Sequence, residues 1–534
     1  MERRGSDGRL RGRRDQELAL RAEVSAVEHV RGPQAALAAL VFGAGTGSLA
    51  TEIAASRLLA PYFGSSTIVW ANLIGIVLAA LALGYVLGGR LADRRPEPRL
   101  LGLIVLLAAL WVAMTPFVAR PFLDTSVRSL DDASAGAVIG SFFAVVLLFA
   151  PAVVLLGMVS PFAIRLAITD VATAGAVAGR FYALSTAGSL LGTFIPALLL
   201  IPLVGTQRTL LGTAVLLALS ASLVLGRKLV VLAAALAALV AVPPGAVKSE
   251  RGLLHEEESA YQYIQVVERT DGRRLLRLNE GVAVHSVWRR DTVLTGGVWD
   301  AFLALPPLLD RRLESVAILG NAAGTVARAL GVFYPAAHVD GVELDPAVSR
   351  VGRRYFGLDD NPRLSVHDAD ARPFLRDTEK RYDLIVADAY HQPYVPFYLA
   401  TREFFALTRA RLTPGGILAL NVAAVPGDDS LLNGVTATLK HEFRTVAVWP
   451  ALRFNKIVLA TEAPAFELRR LRDGPLRLRP LHELLTRGLR TVTESGDDPW
   501  TDDLAPVEWV TDKMIVEYAA RGGELDEDSL PTAP

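Results

Sequence analysis

The 534 residues set 55 Lys and Arg against 55 Asp and Glu, so the chain has no net charge and offers no simple case for nucleic acid as a partner. It has no cysteine, which excludes disulfides, thiolate metal sites and a cysteine nucleophile, and no metal is expected. With 51% hydrophobic residues and a mean hydropathy of +0.35, it is too apolar for an ordinary soluble protein and long enough for more than one domain.

The first 34 residues carry eight Arg, six of them before Asp15, and a polar helical stretch up to Val30. Many apolar runs follow instead of one run with a cleavage site, so this reads as a basic cytoplasmic tail and not as a signal peptide. The runs, 35–59, 68–89, 100–118, 135–157, 181–204, 210–225 and 229–242, are of the length needed to cross about 30 Å of hydrocarbon. Arg90, Arg94, Arg95 and Arg99 follow the second run, Arg165 and Arg180 the fourth, and Arg227 and Lys228 the sixth. Alternate loops are therefore the basic ones, as a cytoplasmic N-terminus requires in a multi-pass cell-membrane protein. Seven full crossings would leave the rest of the chain outside. The seventh run is the shortest and ends in Pro243-Pro244, so it reads as re-entrant or interfacial, and the parity stays open.

Within the first run, Glu52 and Arg57 are read as a buried ion pair that locks the bundle, with transport of a small cation as the alternative. Gly43, Gly45, Gly47, Gly84 and Gly88 would let helices approach closely.

Beyond a charged linker the pattern changes to alternation, from Tyr261 to Val267, a Thr270-Asp271-Gly272 turn, Leu275 to Leu278 and Val282 to Val287, which predicts a small β domain. Strands then alternate with helices, which predicts a doubly wound α/β fold. The expected organisation is a tail (1–34), an α-helical membrane bundle of six to seven spans (35–245), a linker (246–258), a β-hairpin domain (259–300) and a Rossmann-like, methyltransferase-type α/β domain (301–534).

Three strands of the α/β part end in carboxylates. The first strand (315–319) ends in a turn without bulk, Gly320-Asn321-Ala322-Ala323-Gly324-Thr325. The second ends in Val342-Glu343-Leu344-Asp345, the third in His367-Asp368-Ala369-Asp370, and the apolar strand 382–387 leads into Asp388. Ligands bind beyond the carboxyl ends of the strands in an open parallel sheet, so these positions should converge on one nucleoside-binding crevice.

Together with Tyr261-Gln262-x-Ile264 on the hairpin, Asp370-Ala371 and the Pro-containing loop after Asp388, this arrangement resembles the spermidine synthase (polyamine aminopropyltransferase) family over about 258–463. The upstream spans resemble the membrane-fused members of that family. The resemblance implies an enzyme that moves an aminopropyl group from decarboxylated S-adenosylmethionine to a diamine such as putrescine. It implies that Glu343 receives the ribose hydroxyls, that Asp370 and Ala371 meet the adenine, that Gln262 reaches the cofactor from the hairpin side, and that Gly320 and Gly324 shape the turn beneath it. Asp388 would take the proton of the attacking amine, its pKa adjusted by shielding from Tyr390, Tyr394 and Tyr398.

Three departures from the family pattern stand out. The acid before the last glycine of the turn is Ala323. The second acid of the catalytic loop is replaced near His391, and a Tyr-His-Glu signature appears as Trp299-Asp300-Ala301. Asp300 and His391 are therefore the substitute candidates for binding the diamine, and Asp502 and Asp503 could add acids from the C-terminal segment, where a solvated turn is the plainer reading. A methyltransferase using ordinary S-adenosylmethionine is one alternative, because the acid that would repel that cofactor's carboxyl group is missing at Ala323. A transporter or sensor with a non-catalytic adenosyl- or polyamine-binding domain is the other. Under each reading the bilayer is a partner, the α/β domain is expected in the cytoplasm, and assembly as a homodimer is left open.

Overall fold

The computed structural model describes the backbone of residues 6–63, 67–130, 136–242, 248, 250–279, 283–390, 394–493 and 498–522. The chain divides into two compact units, the first helical and the second holding the chain from Lys248 onward.

Among the described residues of the helical unit, six helices are long and apolar enough to span a bilayer: Gln34–Phe63, Val69–Arg94, Pro98–Leu123, Ile139–Ala167, Val171–Val204 and Thr206–Leu225. The seventh expected run is a helix of only 11 residues, Val230–Val240. At about 1.5 Å per residue it covers little more than half of a hydrocarbon core, so it is not a full crossing. Glycines set helix contacts, among them the expected Gly45, Gly84 and Gly88 and also Gly188 and Gly192, which the sequence reading did not single out. A Cβ at Gly188 would lie 2.2 Å from the Phe42 carbonyl oxygen, one at Gly192 2.2 Å from that of Thr46, and one at Gly84 2.4 Å from that of Val154. The expected Glu52–Arg57 pair does not form. The two residues stand five apart in one helix, about 140° around its axis, whereas side chains meet at spacings of three and four.

In the second unit, β1 (Leu253–Glu258), β2 (Tyr263–Glu268), β3 (Arg274–Leu278) and β4 (Val284–Trp288) form an antiparallel sheet in that order. The Asp271-Gly272 turn joins β2 to β3 with Gly272 at φ +80°, where a side chain would be strained. The stretch read as a charged linker thus contains β1. Its His-Glu-Glu-Glu sequence suits an edge strand, whose outer rim faces water.

The large sheet comprises β5 (Ser315–Leu319), β6 (His338–Glu343), β7 (Leu364–Asp368), β8 (Tyr382–Ala387), β9 (Leu412–Ala423), β10 (Thr445–Trp449), β11 (Asn455–Thr461) and β12 (Arg490–Thr491). Its order is β12-β10-β11-β9-β8-β5-β6-β7, parallel from β7 through β9, with β11 inserted antiparallel between β9 and β10. The chain proceeds from β5 towards one edge and resumes at β8 towards the other, which makes the β5/β8 boundary the switch point where such sheets bind ligands.

Strand alternation supplies both faces. Val316, Ile318, Leu384 and Val386 join the helices Val298–Leu303, Thr325–Phe333 and Arg479–Gly488 on one side. Ala317, Leu319, Ile385 and Leu418 join Arg402–Arg411, Ser430–Lys440 and Val507–Ala520 on the other. The small sheet packs Ile264, Val266, Leu276 and Leu278 against Ala323, Val348 and Phe356 of the α/β part, so the two sheets share a core.

Candidate active site

Backbone hydrogen bonds at the carboxyl ends of the strands place the candidate residues in one row. The Ala369 N–H donates to the Glu343 carbonyl (2.9 Å), Gly320 and Asn321 donate to Val342 O (3.0 and 2.9 Å), and Asp388 donates to Leu319 O (2.9 Å). Across the sheet the order is therefore Asp370, Glu343, the Gly320 turn and Asp388, which is the convergence that the strand-end acids predict.

The turn is held in a conformation that favours glycine. Gly320 and Gly324 lie at φ +85° and +88°, and even Ala322 is left-handed at +46°. A Cβ on Gly320 would sit 2.5 Å from Asp388 O and 2.6 Å from the Ala389 Cα, so the turn and the end of β8 are in direct main-chain contact.

Glu343 is 8% exposed. Its Oε2 accepts the Ala322 N–H (2.9 Å) and its Oε1 the Asp345 N–H (3.1 Å). Burial pushes its pKa up to about 7, with the nearby Asp345 carboxylate adding to the shift and the backbone donors opposing it. Each carboxylate oxygen keeps a further lone pair, so two hydroxyl donors could still be received.

Asp370 caps the helix Ala371–Asp377. Its Oδ1 accepts the Arg372 N–H (2.9 Å) and its Oδ2 the Tyr398 hydroxyl (2.8 Å). Ala371, the first residue of that helix, has one of the N–H groups a helix start leaves open.

Gln262 reaches the same region because Ser259 ties β1 and β2 to the end of β6. The Ser259 Oγ accepts the Gln262 N–H (2.9 Å) and donates to Asp345 Oδ2 (2.6 Å). The half-buried Gln262 side chain has no hydrogen-bond partner among the described residues.

Asp388 stands half-buried at the end of β8. Its Oδ1 accepts the Asn421 amide N–H at 2.9 Å, and its other oxygen has no partner among the described residues. Burial pushes its pKa up to about 7, against the pull of Asn421 towards the ionised form. Sequence reading missed Asn421, which sits in an otherwise apolar strand run. The only signal for it was a polar residue among buried ones.

Of the three tyrosines expected to shield Asp388, Tyr390 lies close enough to couple with it, whereas Tyr394 and Tyr398 are bonded to other acids. Tyr390 donates to the Asn421 carbonyl (2.9 Å) and accepts the Ala423 N–H (3.0 Å) on β9, Tyr394 bonds Asp512 on the C-terminal helix, and Tyr398 bonds Asp370. They fasten the loop after β8 to three different elements.

The substitute acids are also engaged elsewhere. Asp300 is 1% exposed and receives the Thr295 N–H and hydroxyl and the Gly296 N–H at 2.8 to 3.0 Å, which makes it the anchor of its own loop. Burial pushes its carboxyl up, against those same donors. Asp502 pairs with Arg372 (2.6 Å) and accepts from Thr401 (2.7 Å), while Asp503 is exposed. His391 lies outside the described residues. Ala323 is buried, and its N–H donates to the Ser286 hydroxyl at 3.0 Å.

Residues 300–451 match the family described as spermine/spermidine synthase domain. A probable polyamine aminopropyl transferase of Bifidobacterium longum is 35% identical over 195 residues, 36% of this chain and 43% of that protein. The polyamine aminopropyltransferase of Vibrio vulnificus is 32% identical over 176 residues, 32% of this chain and 58% of that protein. The chain thus spans about half the length of these curated relatives. Among solved structures, a probable spermidine synthase from Corynebacterium glutamicum is 19% identical with a TM-score of 0.37, covering 54% of this chain and 99% of that one. Over the matched residues, the family resemblance read from the sequence is borne out.

Proposed function

We propose that the second unit is an aminopropyltransferase that uses decarboxylated S-adenosylmethionine and an amine acceptor, on a chain held in the membrane by its helical unit. The observation that carries this reading is the row of Asp370, Glu343, the Gly320 turn and Asp388, with one Asp388 oxygen free and its pKa near 7.

Glu343 would receive the ribose hydroxyls, and Asp370 with the Ala371 N–H would meet the adenine. Gln262 would close over the donor from the small sheet. The unprotonated amine of the acceptor attacks the aminopropyl carbon beside the sulfonium. The C–S bond breaks with its electron pair left on sulfur, releasing methylthioadenosine, and the amine proton passes to Asp388. A base with a pKa near neutrality suits that transfer, since it is ionised often enough to accept the proton and weak enough to release it.

Six crossings would return the chain to its starting side. With the basic loops cytoplasmic, the second unit would then share the cytosol with its adenosyl donor.

The test is transfer of a labelled aminopropyl group to putrescine by the full chain in detergent. Asp388→Asn should lower the rate by about 100-fold or more while donor affinity is kept. An unchanged rate would remove Asp388 from the chemistry.

One observation favours a second reading, methyl transfer from ordinary S-adenosylmethionine. The buried methyl group of Ala323 stands where the family carries an acid. Calorimetry with both donors separates the two, since tighter binding of the carboxylated donor would support the methyltransferase.

A further inference from the structure

We propose that Asn421, backed by Asn455, is a positioning residue that orients the Asp388 carboxylate and holds it in its proton-accepting form. The inference rests on the proposed role of Asp388 as base.

It starts from register. Ala387 on β8 lies beside Leu420 on β9, so the next residues along, Asp388 and Asn421, are neighbours across parallel strands. On the other side of β9, Asn455 of β11 faces Ala423. Residues two apart on a strand share a face, so Asn455 is the diagonal neighbour of Asn421. The side chains follow this geometry. Asn455 Nδ2 donates to Asn421 Oδ1 at 3.0 Å, and Asn421 Nδ2 donates to Asp388 Oδ1 at 2.9 Å.

The chain of bonds has a direction set by chemistry. An ionised carboxylate can only accept, so Asn421 must turn its NH2 group towards Asp388. Its oxygen then faces Asn455, which must offer NH2 in turn. Asn421 is 7% exposed, and an amide turned the other way would set its oxygen against the carboxylate. The backbone is fixed as well, because Tyr390 donates to the Asn421 carbonyl and receives the Ala423 N–H.

The relay occupies one oxygen of Asp388 and leaves the other for the amine. It also opposes burial, which favours the protonated acid. Nothing else facing Asp388 among the described residues does so. Gly320 and Asn321, on the β5 side, carry no charge. Tyr390 couples to Asp388, but burial pushes its phenol up and keeps it neutral, and its hydroxyl is spent on β9.

Asn421→Leu in the full chain keeps the number of heavy atoms and the branching of the side chain, at some cost in added volume, and removes the donor. The acidic limb of the kcat/KM profile for aminopropyl transfer should move up by roughly one pH unit, about tenfold below the limb, with the alkaline plateau within a few-fold of the unmodified protein. Asn455→Leu should move the limb the same way by less, and it serves as the test if Asn421→Leu does not fold. A limb that stays in place, or a loss of rate that is uniform across pH, would overturn the proposal.

The infrared band of the protonated Asp388 carboxyl, assigned by its absence in Asp388→Asn, gives a readout that needs no turnover. Its titration midpoint should rise in both Asn variants. If the unmodified protein transfers no aminopropyl group, the assigned activity fails, whereas an unmoved infrared midpoint sinks the role of Asn421 by itself.

Discussion

The two units differ in what they leave outside and in what lets their elements approach. In the second unit the large apolar groups are inside, Phe404, Phe405 and Trp449 among them. The helical unit buries Leu40, Phe149 and Phe162 too, together with many Ala and with Ser48, Thr51 and Ser141, but it leaves a long series of large apolar side chains exposed, Trp70, Leu78, Phe117, Leu198 and Leu203 among them. A surface of exposed Leu and Phe would be driven together in water, and it is at ease only where the surroundings are equally apolar. The difference teaches that one chain carries two kinds of cohesion. The α/β unit is held by removing apolar area from water, at about 25 cal/mol for each Å². Helices in a bilayer gain no such drive and are held instead by close backbone approach at small residues, which is the kind of contact the glycines of this unit make.

The strongest way to break this comparison is to widen a helix contact. Gly188→Leu places a side chain where even a Cβ would lie 2.2 Å from a carbonyl oxygen, so the helices must part. The full chain should fail to give a monodisperse, cooperatively melting species in detergent, and a normal melting curve would show that small-residue contact does not govern this unit.

The same deletion made in both units sharpens the contrast. Leu418→Ala, in a fully buried strand position, should destabilise the α/β unit by about 3 kcal/mol. Leu198→Ala, at a helix position 67% exposed, should cost less than about 0.5 kcal/mol. Equal losses by denaturant melting would erase the distinction.

A smaller effect belongs to the crevice. The folded pKa of Glu343, about 7, lies above its ordinary 4.5, so between these values the folded state binds more protons than the unfolded one. Its contribution is therefore favourable at low pH and is lost as pH rises from about 4.5 to about 7. Glu343→Gln should raise the Tm of the ligand-free protein above pH 7, by the equivalent of about 1 to 3 kcal/mol, and the gain should vanish below about pH 4.5. A gain independent of pH would mean that charge burial is not its cause.

The strand-end acids were legible in the sequence because a parallel sheet delivers the ends of its strands to one rim. Glu343, Asp370 and Asp388 needed no knowledge of side-chain packing. Partners set by packing were hidden. Asn421 reads as one polar residue in an apolar run, and only the register of β8, β9 and β11 shows that it meets Asp388 and Asn455. Tyr390, Tyr394 and Tyr398 are close in sequence, but a loop can send neighbours in different directions, and it does. Asp300 stands where an acid was sought, yet the nearest donors are on its own loop. β1 was masked by its charges, which an edge strand tolerates. Glu52 and Arg57 were paired by chemistry alone, and the helical repeat keeps them apart.

The contact of the Gly320 turn with the main chain of Asp388 and Ala389 also bears on how such a site can diverge. Acids around the crevice can be exchanged singly, because each hangs from its own strand end, and Ala323 and the loop after Asp388 stand at such positions. Position 320 has no comparable freedom. Any side chain there would push the turn off the end of β8, so substitutions elsewhere around the crevice leave the frame standing while one at this residue would not.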